Sequence, residues 1–170
     1  IEEIALEELS QLSGIQAIGG FSAAESWAWH RVRLASEGDR YDPRVAQRIR
    51  RGEQMSAADY IDLLHARSAW IEQVEHRLQG YDAVLSPTVP IVAPPIAAIA
   101  EDDAEFFRIN ALLLRNTSVV NMLDGCALSL PCHAPGQLPV GLMAWSSALQ
   151  DDTVLSVSLA IESALSQEGA

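Results

Sequence analysis

The chain has 170 residues, 49% apolar and 20% charged, which is enough for a packed core and excludes a disordered composition. Acidic residues outnumber basic ones 23 to 11, giving a net charge of -12; such a surface repels a phosphate backbone, so direct nucleic-acid contact is not expected. Two cysteines, Cys126 and Cys132, are too few for a disulfide framework, and no apolar run approaches the ~20 residues of a membrane helix. The expected setting is therefore cytoplasmic, with no membrane partner. The chain starts at Ile1, within a pattern that already looks helical, and so reads as a piece or processed product of a longer protein.

Ile1, Ala5, Leu9 and Leu12 recur at helical spacing, with Gly14 and then Gly19-Gly20 as the break. Ser22 and Glu25 have the spacing of a capping box, and the helix they predict carries Trp27, Ala28, Leu34 and Ala35 as far as Gly38. Asp42-Pro43 signals the next helix start and Gly52 its stop. Arg44, Arg48, Arg50 and Arg51 read as a solvated face of that helix. Ser56 and Asp59 open the longest predicted helix, with Tyr60, Leu64, Ile71, Val74 and Leu78 as its apolar stripe.

Residues 83–86 predict a buried strand ended by Pro87. Pro87, Pro90, Pro94 and Pro95 make the stretch to Ala100 an extended, rigid loop. Residues 106–114 read as a helix, 116–123 as a second short helix or turn, and Gly125 as the break. Residues 127–130 and 139–144 predict two more strands around Pro135-Gly136, apolar without alternation, as expected when helices cover both faces. Asp151 is placed as the cap of a last, largely buried helix bearing Val154, Leu155, Leu159, Ile161 and Leu165.

Candidate chemistry is sparse. Ser129, His133 and Asp124 are the types of a nucleophilic triad, but Ser129 sits inside a strand-like ALSLP rather than on the strained turn a nucleophile needs. Cys126, Cys132 and His133 match no common metal spacing and read as buried apolar cysteines beside a histidine. Neighbouring Cys132 and His133 point to opposite sides of an extended chain, which disfavours a Cys–His nucleophile. His30, His65 and His76 fall on predicted helices without a shared motif, and no phosphate-binding glycine loop is present. Thr88, Thr117, Ser118, Asn121 and Trp145 occupy strand ends and corners, where α/β folds place ligands; capping and turn formation explain them equally well.

Several stretches in order resemble one family: GGFSAAESWAWHR; YDPRVAQRI followed by MSAADYI; YDAVLSPTVPIVAPPI; the spacing of Asn110, Asn116-Thr117 and Asn121; GCALSLPC with LPVGLM; and Asp151-Asp152 leading into a final helix with Glu162. Together they resemble the C-terminal portion of the amidase signature family, which includes broad-specificity amidases and glutamyl-tRNA amidotransferase A subunits. The resemblance implies an α/β fold with helices packed around a mixed sheet, residues 1–170 being the C-terminal part of a larger sandwich. Within it, residues 1–80 would be mainly helical, and 81–170 would hold the strands, the proline-rich loop and the last helix.

The family hydrolyses a C–N amide bond through a Ser–cis-Ser–Lys triad lying in a glycine/serine-rich region ahead of the matched part. This chain has no such region and no lysine at all. The resemblance therefore implies no catalytic residue here, no cofactor and no metal. It implies a substrate-pocket wall that includes Thr88, Thr117, Asn121 and Trp145, Trp145 standing where an apolar-Gly ending is more usual and narrowing the pocket. The implied partners are the N-terminal catalytic half of the same protein and a small-molecule amide, with self-pairing into a homo-oligomer as the other way to cover bare apolar faces. The alternative is a non-catalytic binding or assembly module derived from such an enzyme.

Overall fold

Asp42 caps its helix as the sequence predicts. In the computed structural model, which describes residues 1–168, the Asp42 carboxylate accepts the backbone N–H groups of Arg44 (2.9 Å) and Val45 (3.2 Å), and Pro43 is the first residue of α3 (Pro43–Arg50). Ser56 and Asp59 close a reciprocal box. The Asp59 N–H donates to Ser56 Oγ (3.1 Å), and the Ser56 N–H donates to Asp59 Oδ2 (2.8 Å), opening α4 (Ala57–Arg77).

Two compact units are divided between Val74 and Glu75, inside α4. The first unit holds a 3-10 turn (Glu7–Gln11), α1 (Leu12–Ile15), α2 (Gly20–Glu37), α3 and the first part of α4. Leu34 of α2 packs with Ala46 and Ile49 of α3, flanked by Trp27 and Tyr41, and Tyr41 OH bonds His30 Nδ1 at 2.8 Å. Phe21 and Tyr60 meet edge to face at 5.7 Å, and Arg67 lies over the Phe21 ring. The Trp70 indole N–H donates to the Glu8 carbonyl at 2.8 Å, tying the N-terminal turn to α4.

Four expectations change here. Residues 1–6 are not helical, and the predicted N-terminal helix shrinks to a 3-10 turn and one α-turn containing Gly14; a short uncapped segment does not meet the cost of helix nucleation. Ser22 lies inside α2, whose N-cap is Gly19. The buried stripe of α4 runs through Leu63, Trp70 and Val74, with buried Leu78 just past its end, leaving Leu64 exposed. Gly52 does not stop α3: the chain continues as a 3-10 turn (Arg51–Gln54), and Gly52 is where that turn crosses α2. A methyl group there would overlap the Ala23 carbonyl and stand 2.7 Å from Trp27 Cβ.

In the second unit, β1 (Val84–Pro87), β2 (Cys126–Pro131) and β3 (Gly141–Ser146) form a sheet of order β1-β3-β2. All three pair antiparallel, with Ser86 and Ser129 both opposite Met143. The α/β reading holds, with only antiparallel pairs among the described strands. Pro87 extends β1 by a residue, which an edge strand tolerates. Residues 103–123 form one helix, α5 (Asp103–Leu123), rather than two; Asp102 caps it through the Glu105 N–H, and Asp124, at φ 60°, ends it. α6 (Asp151–Glu168) packs on β2 and β3. Asp151 is its first residue rather than its cap, and the helix is half open: Val154 and Ser158 are buried, but Leu155 and Leu159 are exposed.

Two measurements test these packing assignments. Gly52→Ala is expected to destabilise the chain by about 2–3 kcal/mol in urea unfolding, because backbone must move to admit the methyl group; a cost below about 0.5 kcal/mol would refute the close approach. The Asp59 carboxyl is held below its ordinary range by the Ser56 backbone N–H and then the Ser56 hydroxyl, against a small desolvation effect. Its cap is thus fully present above the unfolded-state value and lost as pH falls through the lowered folded-state one. Asp59→Asn should therefore melt with less loss of stability between about pH 5 and pH 2 than the parent chain; equal losses would remove the cap.

Candidate functional site

Strand alternation sorts the sheet into two faces. Leu128 and Leu130 of β2 are covered, with Ala144 and Ser146 of β3 on the same face, and this is where α6 lies. The other face carries Val84 and Ser86 from β1, Gly141, Met143 and Trp145 from β3, and Ala127 and Ser129 from β2. Met143 and Trp145 are buried, while Ala127 and Ser129 are exposed, so this face opens toward the β2 edge.

The polar groups on the open face are arranged in pairs. The Trp145 indole N–H donates to Ser86 Oγ at 3.2 Å. Thr88, just beyond β1, keeps the ladder going by donating its N–H to the Gly141 carbonyl at 2.9 Å. Thr88 Oγ1 and Ser129 Oγ approach to 2.5 Å, reaching from the two outer strands over Gly141. A Cβ at Gly141 would sit 2.5 Å from Ser129 Oγ and 2.7 Å from Thr88 Oγ1. Glycine is what leaves room for the two hydroxyls to meet.

α5 supplies the nearby helix. Its covered stripe runs Ile109, Leu113, Asn116, Val120, Leu123. Asn116 is the one polar step in it, and its Nδ2 donates to the Pro87 carbonyl at 2.7 Å. That bond satisfies an edge-strand acceptor and sets α5 beside the end of β1. Thr117, the next residue, returns its hydroxyl to the Leu114 carbonyl at 3.2 Å, and Asn121 is exposed in the last turn.

Of the four residues expected at a pocket wall, Thr88 and Trp145 share one sheet face, but four residue steps, about 13 Å, separate them along the strands. Thr117 follows the residue that holds Pro87, and Asn121 is one turn further along α5. Sequence reasoning missed the roles of Asn116, Ser86 and Gly141. A polar residue at an apolar helical step was the one available signal for Asn116.

The triad and metal constellations come apart. Ser129 points to the open face rather than into a packed sheet, because β2 is an edge strand, and its hydroxyl partner is Thr88, not a base. Asp124 ends α5 before β2 begins, and His133 lies beyond the other end of β2, with Nδ1 3.4 Å from Val140 N and O. Cys126 and Cys132 stand six residues, about 20 Å, apart along extended chain. Cys132 is exposed rather than buried, and Cys126 is half-buried, its thiol facing the Ser147 carbonyl at 3.5 Å.

Residues 3–155 match the family model described as Amidase, and the chain belongs to that family. Among similar proteins are the glutamyl-tRNA(Gln) amidotransferase A subunit of Sulfurisphaera tokodaii, 26% identical over 95% of this chain and 34% of its own length, and a 2-amino-5-chloromuconic acid deaminase of Comamonas testosteroni, 28% identical over 88% of this chain and 32% of its own. The chain thus spans about a third of the length of the curated relatives it matches. Two solved structures share the fold at 24% identity: an allophanate hydrolase of Kluyveromyces lactis (TM-score 0.77, 89% of this chain and 24% of that one) and an amidase (TM-score 0.68, 86% and 34%).

Gly141→Ala is expected to cost about 1–3 kcal/mol in urea unfolding. Adding Ser129→Ala should recover part of that loss by removing one of the crowded oxygens. Strictly additive costs would show that the hydroxyl pair does not depend on the glycine.

Proposed function

We propose that this chain is the C-terminal portion of an amidase-signature hydrolase, supplying sheet scaffold and one wall of the pocket in which a small amide is cleaved at its C–N bond. The single observation that carries this reading is family membership in a chain without lysine. A Ser–cis-Ser–Lys triad cannot be completed from these residues, so the reacting groups come from the N-terminal portion. The bare apolar surface supports the same partner. In the first unit Trp29 and Val32 of α2 are 82% and 75% exposed, and in the second Leu155 and Leu159 of α6 stand open one turn apart. Isolated exposed leucines are ordinary; paired stripes on two helices suit surfaces that a larger domain covers.

Within that wall the four expected residues divide by what their polar groups do. The Thr117 hydroxyl and the Trp145 indole are bonded internally, so they shape the wall through packing. Asn121 is exposed, and the Thr88 hydroxyl, bonded to Ser129 Oγ, lies on the open face of the sheet; we assign substrate contact to these two. The edge hydroxyls of Thr88 and Ser129 offer both a donor and an acceptor suited to an amide group.

The purified chain should give no turnover of simple aliphatic or aromatic amides. The nucleotide sequence upstream of Ile1 should encode a segment with a lysine and glycine/serine-rich motifs, and joining that segment should bring activity. In the joined protein, Thr88→Val should raise KM several-fold at little cost in kcat. Sustained amide hydrolysis by the isolated chain, surviving further purification, would overturn the reading.

A further inference from the structure

The peptide between Pro87 and Thr88 is gripped from both sides. Its N–H, on Thr88, donates to the Gly141 carbonyl at 2.9 Å. Its carbonyl, on Pro87, accepts from Asn116 Nδ2 of α5 at 2.7 Å. The N–H and carbonyl of a trans peptide point in opposite directions, so one group faces β3 and the other faces away from it. Thr88 is one residue past the end of β1 and leads into the proline-rich stretch, so the strand ladder beyond it offers no further hold.

Asn116 is fixed in its turn. Its Oδ1 accepts the Arg115 Nε–H at 3.3 Å, which leaves the amide nitrogen for the Pro87 carbonyl. An apolar residue at this half-buried step would suit the α5 stripe but would leave that carbonyl without its donor. Holding the peptide plane restricts ψ of Pro87 and φ of Thr88, and with them the direction of the Thr88 Cα–Cβ bond. Threonine is branched at Cβ and stiff in χ1, so the backbone direction carries through to the hydroxyl. That hydroxyl meets Ser129 Oγ over Gly141, on the open face of the sheet.

We propose that Asn116 is a positioning residue for substrate binding, an assignment that rests on the pocket-wall role of Thr88 given above. Asn116 holds the Pro87–Thr88 peptide from the α5 side and thereby aims the Thr88 hydroxyl at the amide group of the substrate. It touches no substrate itself and acts through Thr88.

The test has two arms. In the 170-residue chain, amide hydrogen exchange is followed at Thr88 in Asn116→Ala and in Asn116→Asp, which keeps the size of the side chain and removes the donor. Exchange at Thr88 should quicken by roughly five- to tenfold in both variants, while amides at the centre of β3 keep their protection. Circular dichroism confirms that each variant is folded. In the protein joined to its N-terminal portion, Asn116→Ala should raise KM several-fold at little cost in kcat, as Thr88→Val does. The double variant should have a KM no higher than that of Thr88→Val alone, because both changes remove one contact; a purely structural Asn116 would not show this dependence. Unchanged exchange at Thr88 in both variants, or KM increases that simply multiply in the double variant, would overturn the proposal. A raised KM in Thr88→Val beside an unmoved one in Asn116→Ala overturns the proposal alone. An unmoved KM in Thr88→Val overturns the pocket-wall role of Thr88, and the positioning role of Asn116 with it.

Discussion

β3 is hydrogen-bonded along both edges and buried on both faces, and the second unit depends on that double constraint. Met143 and Trp145 are closed off on one side, Ala144 and Ser146 on the other. A strand held this way has little freedom to slip, since a shift of one residue would exchange its two buried faces. The outer strands inherit their roles from it. β1 can end in Pro87 because its far edge has no partner strand among the described residues, and the Pro87 carbonyl is taken by Asn116. β2 needs cover on only one face, so its burial alternates, and α6 lies over the covered side.

Glycine marks the places where separate elements come closest. At Gly52 it admits the backbone of α2, and at Gly141 it admits two hydroxyls across the strand ladder. Neither position has φ > 0, so the requirement is room and not backbone conformation. The two contacts serve different ends. The Gly52 contact joins the α2–α3 pair that carries the Leu34, Ala46 and Ile49 core; the Gly141 contact shapes the open face of the sheet, where polar groups remain near solvent.

Membership of the amidase family frames the whole without placing a reacting group in the chain. A nucleophile needs a base within hydrogen-bond reach, and Ser129 has a second hydroxyl instead. What the chain does present is a three-stranded sheet, a long helix bonded to its edge, and apolar stripes left bare on α2 and α6.

The sequence by itself determined much that is local. Asp42-Pro43 and Ser56 with Asp59 marked two helix starts, because a cap is made by neighbours within three residues. Three apolar runs marked the strands to within two residues, and the absence of lysine ruled out the family's triad within the chain. Motif order alone pointed to the family, with no pocket geometry needed. The tertiary structure alone decided which strand is central, why Gly52 and Gly141 are glycines, and that α5 continues through Asn116. Each of these depends on atoms distant in sequence meeting in space, and helical periodicity or residue spacing carries no record of the element that will pack opposite.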